Sequence, residues 1–354
     1  MMELWTEIFQ CLERGEPVVV ATVVSHSGST PRTSGSKMIV HSDGRISGTV
    51  GGGALEGDVI RSAMNLFAAR GGAIRFYDLN ETTSSEDLDL ICGGRMHVFL
   101  EYVPADQAAI EVYRALVDSL TSSQRVLYAA LVRGDDDNLQ VTRSVLTDDG
   151  RPVDRALDVI PESDELQEAL ASAGVDSAAR LVPLGPDRLI IEPVAPPHTV
   201  YLLGAGHVSL ELAWLTHRLG FHTVVIDDRP EFASEERFPM AHALRVCPDF
   251  TEVFAGFTPG RDSFVVIVTR GHRFDRKVLV QALATQAGYI GMIGSARKRD
   301  TIYRGLLDDG VDPSELTRVH CPVGLDIEAE TPAEIAVSIA AQLVEHRAYQ
   351  RTHG

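Results

Sequence analysis

From His198 onward the chain alternates short apolar runs with helix-length amphipathic segments, and this rhythm restricts the architecture more than any other feature. The runs cover residues 199–203, 223–226, 243–246, 264–268, 289–293 and 318–321. Buried strands joined by helical crossovers pair in parallel, so the pattern predicts a doubly wound, Rossmann-like parallel sheet. Two helix starts agree with it. Asp312-Pro313-Ser314-Glu315 and Thr331-Pro332-Ala333-Glu334 each combine a capping residue, Pro at the first helical position and a following Glu. The last helix is expected to bury Ile335, Ile339 and Leu343.

The first of these strands runs into Gly204-Ala205-Gly206-His207-Val208-Ser209. Gly204 permits a tight turn, and Gly206 lets a pyrophosphate approach a helix N-terminus, where free N–H groups and the helix dipole favour an anion. Asp227 closes the second strand about 20 residues later, where a ribose-binding carboxylate belongs. Asp228 adds to the preference for a free ribose diol, whereas Arg229 could hold a phosphate there. Ser209 replaces the third glycine and is expected to shift the helix outward. The ligand implied is NAD(P) or a related nucleotide; a Rossmann-like domain without one is the other reading. Two further loops end strands at the same sheet edge. Thr269-Arg270-Gly271-His272 ends the fourth strand, and Gly294-Ser295-Ala296-Arg297-Lys298 follows the fifth. Cations at a helix N-terminus oppose its dipole, a conflict that an anionic ligand held by Ser295 and Arg297 or Lys298 would remove.

Residues 1–103 read as an N-terminal α/β domain. A first helix carries Leu4, Ile8, Cys11 and Leu12 on one face, a strand covers 18–24, and hairpin arms at 37–41 and 45–50 flank an Asp43-Gly44 turn. A helix over 54–70 is entered from Gly51-Gly52-Gly53. Residues 104–197 read as an α/β extension with a helix over 108–120 and strands over 126–132, 140–146 and 189–194. Asp135-Asp136-Asp137 is a solvated turn, and Ala195-Pro196-Pro197 a linker into the C-terminal domain, 198–354.

Within the first domain the loop Ser25–Lys37 concentrates hydroxyls, small residues, an Arg and a Lys. Ser27, Ser29 and the backbone around them could converge on an anion, with Arg32 holding it bidentately. The Gly51-Gly52-Gly53 run, with Glu56 after it, makes sense where backbone must approach a ligand closely. Cys92-Gly93-Gly94-Arg95 sets a thiol beside two glycines and a cation, which favours a thiolate able to bind a soft metal or carry sulfur. On its own chemistry Cys92 is equally open to a structural reading. Cys11, Cys247 and Cys321 read as core or loop filler.

Thirty-two Lys and Arg against 50 Asp and Glu give a net charge of −18, which argues against nucleic acid as a partner without forbidding a small anion in a local positive pocket. Four widely spaced cysteines form no disulfide framework, the N-terminus shows no secretory signal, and no uncharged apolar stretch reaches the roughly 18 residues of a membrane helix. A soluble cytoplasmic protein with no membrane partner is expected.

Taken together, His26-Ser27-Gly28-Ser29-Thr30-Pro31-Arg32, Gly48-Thr49-Val50-Gly51-Gly52-Gly53-Ala54-Leu55-Glu56, Cys92-Gly93-Gly94, Leu203-Gly204-Ala205-Gly206-His207-Val208, Asp228-Arg229, Thr269-Arg270-Gly271-His272 and Ile293-Gly294-Ser295 resemble the xanthine dehydrogenase accessory (XdhC/CoxI-type) family. Ala329 departs from that pattern, standing where Gly is common. The resemblance implies a chaperone of the molybdenum cofactor (molybdopterin). Such a protein would bind the pterin, protect it during sulfuration by a cysteine desulfurase, and deliver it to a xanthine dehydrogenase-type molybdoenzyme, with a homodimer plausible. Cys92 would then lie near molybdenum or its sulfur, with Arg32 and the glycine loops, Gly93 and Gly94 included, on phosphate. A nicotinamide-dependent oxidoreductase using His207 or His272, and a ligand-free scaffold between desulfurase and dehydrogenase, are the alternatives.

Overall fold

The computed structural model describes residues 2–79, 93–122, 124–147, 149–153, 164–173 and 178–353. They form two compact units, Met1–Pro196 and Pro197–Gly354.

The first unit runs α1 (Met2–Glu13), β1 (Val18–Gly28), β2 (Lys37–His41), β3 (Ile46–Gly48), α2 (Gly53–Ala69), β4 (Gly72–Asp78), β5 (Gly94–Val103), α3 (Gln107–Thr121), β6 (Val126–Asp135), β7 (Asn138–Leu146), α4 (Asp164–Ala173), β8 (Arg180–Leu184) and β9 (Asp187–Val194). One antiparallel sheet carries all nine strands in the order β3-β2-β1-β5-β4-β7-β6-β9-β8, so it continues through residues on both sides of 103. The register joins β4 to β7 at Gly72 and Leu139, a short seam where the sheet divides into two halves. Period-two alternation then decides what each half buries. Val18, Val20 and Val24 share a core with Tyr128, Ala130, Val132 and Ile190 from the other half and with Trp5, Ile8 and Tyr113 of α1 and α3. Val19, Ala21 and Val23 face the opposite way and pack under Leu55, Val59 and Ala63 of α2. Leu127, Ala129 and Leu131 pack against Leu166 and Ala169 of α4.

Between the two halves lies a buried polar layer. Lys37 is not a loop cation as its sequence context suggests: as the first residue of β2 it turns inward and is 4% exposed. Its Nζ donates to Thr22 Oγ1 (2.6 Å) and Glu192 Oε2 (2.8 Å), and sits 4.6 Å from the Trp5 ring centroid. Glu101 accepts from Tyr128 Oη (2.7 Å) and Arg143 Nε (2.7 Å). The expected strand 126–132 extends to Asp135, and the acidic turn closes the β6–β7 hairpin. Two of its carboxylates are paired rather than merely solvated: Asp136 with Arg188 and Asp137 with Arg75.

The second unit runs β10 (Thr199–Leu203), α5 (His207–Arg218), β11 (His222–Asp227), β12 (Ala243–Val246), β13 (Ser263–Ile267), α6 (His272–Leu283), β14 (Tyr289–Met292), α7 (Ala296–Asp308), α8 (Pro313–Leu316), β15 (Val319–His320) and α9 (Pro332–His353). Its six strands are parallel, in the order β12-β11-β10-β13-β14-β15, so the doubly wound expectation holds. The order reverses between β10 and β13, and the crevice at that switch point opens beyond the carboxyl ends of the strands. Leu212 and Ala213 of α5 pack with Ala336, Ile339 and Leu343 of α9 on one face, while Val278, Leu279, Ile302 and Leu306 of α6 and α7 cover the other. The last strand is shorter than the apolar run 318–321, since Pro322 has no N–H to donate to a ladder.

Both helix starts form as their residues require. Asp312 Oδ1 accepts the Ser314 N–H (2.8 Å). Glu334 Oε2 accepts the Glu330 and Thr331 N–H groups (3.0 and 2.8 Å), while Thr331 Oγ1 accepts from Glu334 (3.3 Å). No helix among the described residues is long and apolar enough to cross a membrane.

Candidate functional site

In the first unit, three segments far apart in sequence meet at one loop. A Cβ placed on Gly94 would lie 2.6 Å from the carbonyl oxygens of Ser27 and Ser29, and one on Gly28 would lie 2.8 Å from Gly93 O. One on Gly51 would approach Leu55 and the Pro31 ring at 2.7 and 3.1 Å. Gly28, Gly51 and Gly94 are therefore glycines because protein packs against them. Gly52 and Gly53 differ: both have positive φ (130° and 57°), and a Cβ on either would meet nothing within 4 Å among the described residues. Packing does not account for them, and they start α2, whose N-terminus has no side-chain cap. Glu56 is held by Thr49 Oγ1, which also accepts the Gly51 N–H (3.1 Å). The sequence gives Thr49 no signal beyond its place at the foot of the glycine run.

Arg32 is exposed, and its guanidinium contacts only its neighbour's Pro31 carbonyl (3.2 Å), with no acidic partner among the described residues. Arg95, by contrast, pairs with Asp78 (2.8 Å). His26 accepts the Ser34 N–H on Nδ1 (3.1 Å), a bond that orders the loop. Cys92 lies outside the described residues; Gly93, next to it in the chain, sits beside Gly28. The remaining thiols, Cys11, Cys247 and Cys321, are buried, and burial pushes each above the ordinary thiol value, which suits filler rather than reactivity. Among the described residues no group of three or more His, Cys, Asp or Glu could hold a metal ion.

In the second unit the Gly204–Gly206 turn lies at the switch point. A Cβ on Gly204 (φ 111°) would lie 2.5 Å from Val268 O, so the loop after β13 closes directly on this turn. Gly206, in extended conformation, is the N-cap of α5 and faces open space, with no side-chain cap on the helix. Ser209 is fully buried and its hydroxyl donates to Gly204 O, tying helix to turn. His207 opens α5 and is exposed. His272 opens α6, which is also uncapped; its side chain is outside the described set.

The carboxylates after β11 divide their tasks. Asp227 is 1% exposed and accepts the Ala205 N–H (2.7 Å), the Arg229 N–H (3.0 Å) and Arg229 Nε (2.9 Å). Burial raises its carboxyl, but those donors outweigh burial and hold it below the usual carboxylate range. Asp227 is thus spent on the turn, and Arg229, stacked 3.4 Å from the Phe232 ring centroid, is spent on Asp227. Asp228 accepts from Arg270 Nη2 on Oδ2 (2.7 Å), while its Oδ1 is buried with no hydrogen-bond partner among the described residues. An uncapped helix start, an open glycine and an unsatisfied acceptor at one crevice suit a nucleotide's phosphate and ribose.

The two cations of the loop after β14 also part. Lys298 is not available as an anion hook: its Nζ pairs with buried Asp275 and donates to Ile293 O (3.0 Å). Asp275 in turn accepts from Thr269 Oγ1 (2.5 Å). Folding back in this way also relieves the conflict with the α7 dipole. Ser295 caps α7 through the Lys298 N–H (3.3 Å), and Arg297 is exposed with no ion pair among the described residues.

Comparison with known proteins matches residues 11–78 to the XdhC and CoxI family and residues 200–343 to the XdhC Rossmann domain. The chain is 26% identical over 338 residues to a Bacillus subtilis protein described as a probable xanthine dehydrogenase subunit, covering 95% of each. It is also 26% identical over 344 residues to the uncharacterized protein YqeB of Escherichia coli, spanning 97% of this chain but 46% of that longer protein. Among solved structures it resembles a protein of Bacillus halodurans described as a xanthine dehydrogenase, with a TM-score of 0.76 and 25% identity over 98% of this chain and 96% of that one.

Proposed function

The chain belongs to the XdhC and CoxI family, and from that membership we propose that it is an accessory factor of a xanthine dehydrogenase-type molybdoenzyme. Its cargo is the molybdenum cofactor, which it receives, shelters while a cysteine desulfurase supplies sulfur, and hands to the apoenzyme in the cytoplasm, acting as a homodimer. The observation that carries this reading is the meeting of residues 27–32, 49–53 and 93–94 around a helix start whose two glycines face open space. The cofactor's phosphate would take the N–H groups at Gly52 and Gly53 and the guanidinium of Arg32, which has no acidic partner among the described residues. Gly93 and Gly94 would leave room beside it, and Glu56 is an acceptor for the pterin's N–H groups. Cys92 is assigned to the molybdenum or its sulfur ligand by family resemblance and by its place next to Gly93.

The second unit holds NAD(P) or a related nucleotide in this reading, with Gly204 and Gly206 beneath the pyrophosphate. Arg297 is the exposed cation of the neighbouring loop, with no ion pair among the described residues. A test is mass spectrometry of small molecules carried by the full chain purified from cells that make molybdopterin, coupled to activation of an apo-dehydrogenase. An oxidisable pterin lost in Arg32→Ala, and activation lost in Cys92→Ala, are expected. Protein free of pterin, together with full activation by Cys92→Ala, would overturn the reading.

A further inference from the structure

His26 and His97 stand at the end of the nine-stranded sheet that leads into residues 27–32 and 93–94, and strand alternation sends them to opposite faces. His26 of β1 pairs with Met96 of β5, which pairs in turn with Tyr77 of β4, so these side chains form one cross-strand row. Met96 packs with Leu55 and Val59 of α2, and Tyr77 Oη donates to Asp58 Oδ2 (2.8 Å) in the second turn of that helix. His26 therefore lies on the side of the sheet that carries the α2 start. His97 lies on the other side, where its Nδ1 bonds Ser25 Oγ (2.7 Å) and its ring packs against Phe76, with centroids 5.0 Å apart.

The hydrogen bonds of His26 fix where its ring proton sits. The Ser34 backbone N–H can only donate, so Nδ1, which accepts it at 3.1 Å, carries no proton. Ser34 Oγ, 2.9 Å from the same nitrogen, must then donate as well. The ring's one N–H is at Nε2, which makes no hydrogen bond or ion pair among the described residues and belongs to an exposed side chain. We propose that His26 is a ligand-binding donor of the first unit, presenting Nε2–H to the phosphate of the molybdenum cofactor at the α2 start. The inference rests on the cofactor reading of the first unit. It adds, to the backbone N–H groups and the Arg32 guanidinium, a side-chain donor whose ring is oriented by Ser34. An imidazole held in this tautomer donates to an anionic oxygen and takes no proton at that nitrogen, so His26 is a binding group and not a base.

The test measures binding to the full chain of molybdopterin released anaerobically from a heat-denatured molybdoenzyme, by ultrafiltration and fluorescence of the oxidised pterin. It is repeated with the same pterin after phosphatase treatment. His26→Asn keeps an acceptor near the Nδ1 position for the Ser34 N–H and removes the Nε2 donor. It should bind molybdopterin about tenfold more weakly than the wild-type chain, the loss expected for one hydrogen bond to a charged group, and bind the dephosphorylated pterin as tightly as the wild-type chain does. In nitrogen NMR spectra of the ligand-free wild-type chain, the histidine signals that disappear in His26→Asn should belong to an imidazole protonated at Nε2 only. Equal molybdopterin binding by the two chains, an equal loss toward both pterins, or a proton on Nδ1 overturns the role of His26. Failure of the wild-type chain to bind molybdopterin overturns the cofactor reading itself.

Discussion

Two glycines a residue apart do different work. Gly204 has a positive φ and lies against the Val268 carbonyl, so its lack of a side chain serves the fold. Gly206 has an ordinary backbone and open space, so its lack of a side chain serves whatever approaches from outside. Gly204→Ala combines backbone strain with overpacking and should destabilise the second unit by about 3 kcal/mol. Gly206→Ala should change stability by less than about 1 kcal/mol yet weaken NADH binding roughly tenfold or more. Paired denaturant melts and fluorescence titrations separate the two; equal stability losses would show that both glycines are structural. The sequence motif already gives Gly204 the turn and Gly206 the approach of a phosphate; what it does not carry is the contact of Gly204 with the Val268 carbonyl. Asp227 and Asp228 are a parallel case: adjacency in sequence hides that one carboxylate faces the turn and the other the crevice.

At the scale of elements, helix starts were the most legible feature, since a capping box at Thr331–Glu334 is satisfied by residues three and four apart. The β2–β9 contact was not legible at all. Lys37 and Glu192 stand at opposite parts of the chain, and only the folding of one half-sheet over the other brings them to 2.8 Å. A buried pair of this kind is weak net stabilisation but costly to break. Lys37→Met alone should destabilise the first unit by about 3–5 kcal/mol, and Lys37→Met with Glu192→Leu should recover most of that loss. Urea melts of the two variants would decide, and a double variant no more stable than the single one would count against the pair's isolation. Lys298 follows the same logic at the other sheet, where Asp275 claims a cation that sequence context assigns to an anion.

Across the whole molecule, four histidines whose protonation is suppressed all lie in Pro197–Gly354. Burial lowers His222, His242, His320 and His346, helped at His222 by His242, at His242 by His217 and at His320 by His346. Their unfolded forms take up protons near pH 6.5, before the folded forms do, so stability is full above that value and falls as pH drops through it. Thermal melts between pH 7.5 and 5.5 should show the second unit's transition moving down, and a transition constant over that range would refute the effect. The alternation of strands and helices after His198, the helix caps, the glycine turns and the acidic net charge were determined by sequence alone, because each depends on near neighbours or on composition. Family resemblance lay there too, spread over short motifs at both ends of the chain. Which glycines pack and which stay open, which of two aspartates keeps a free oxygen, and which cations are already paired were decided only by tertiary structure. Those properties depend on atoms brought together from strands distant in sequence, and spacing along the chain carries no record of that approach.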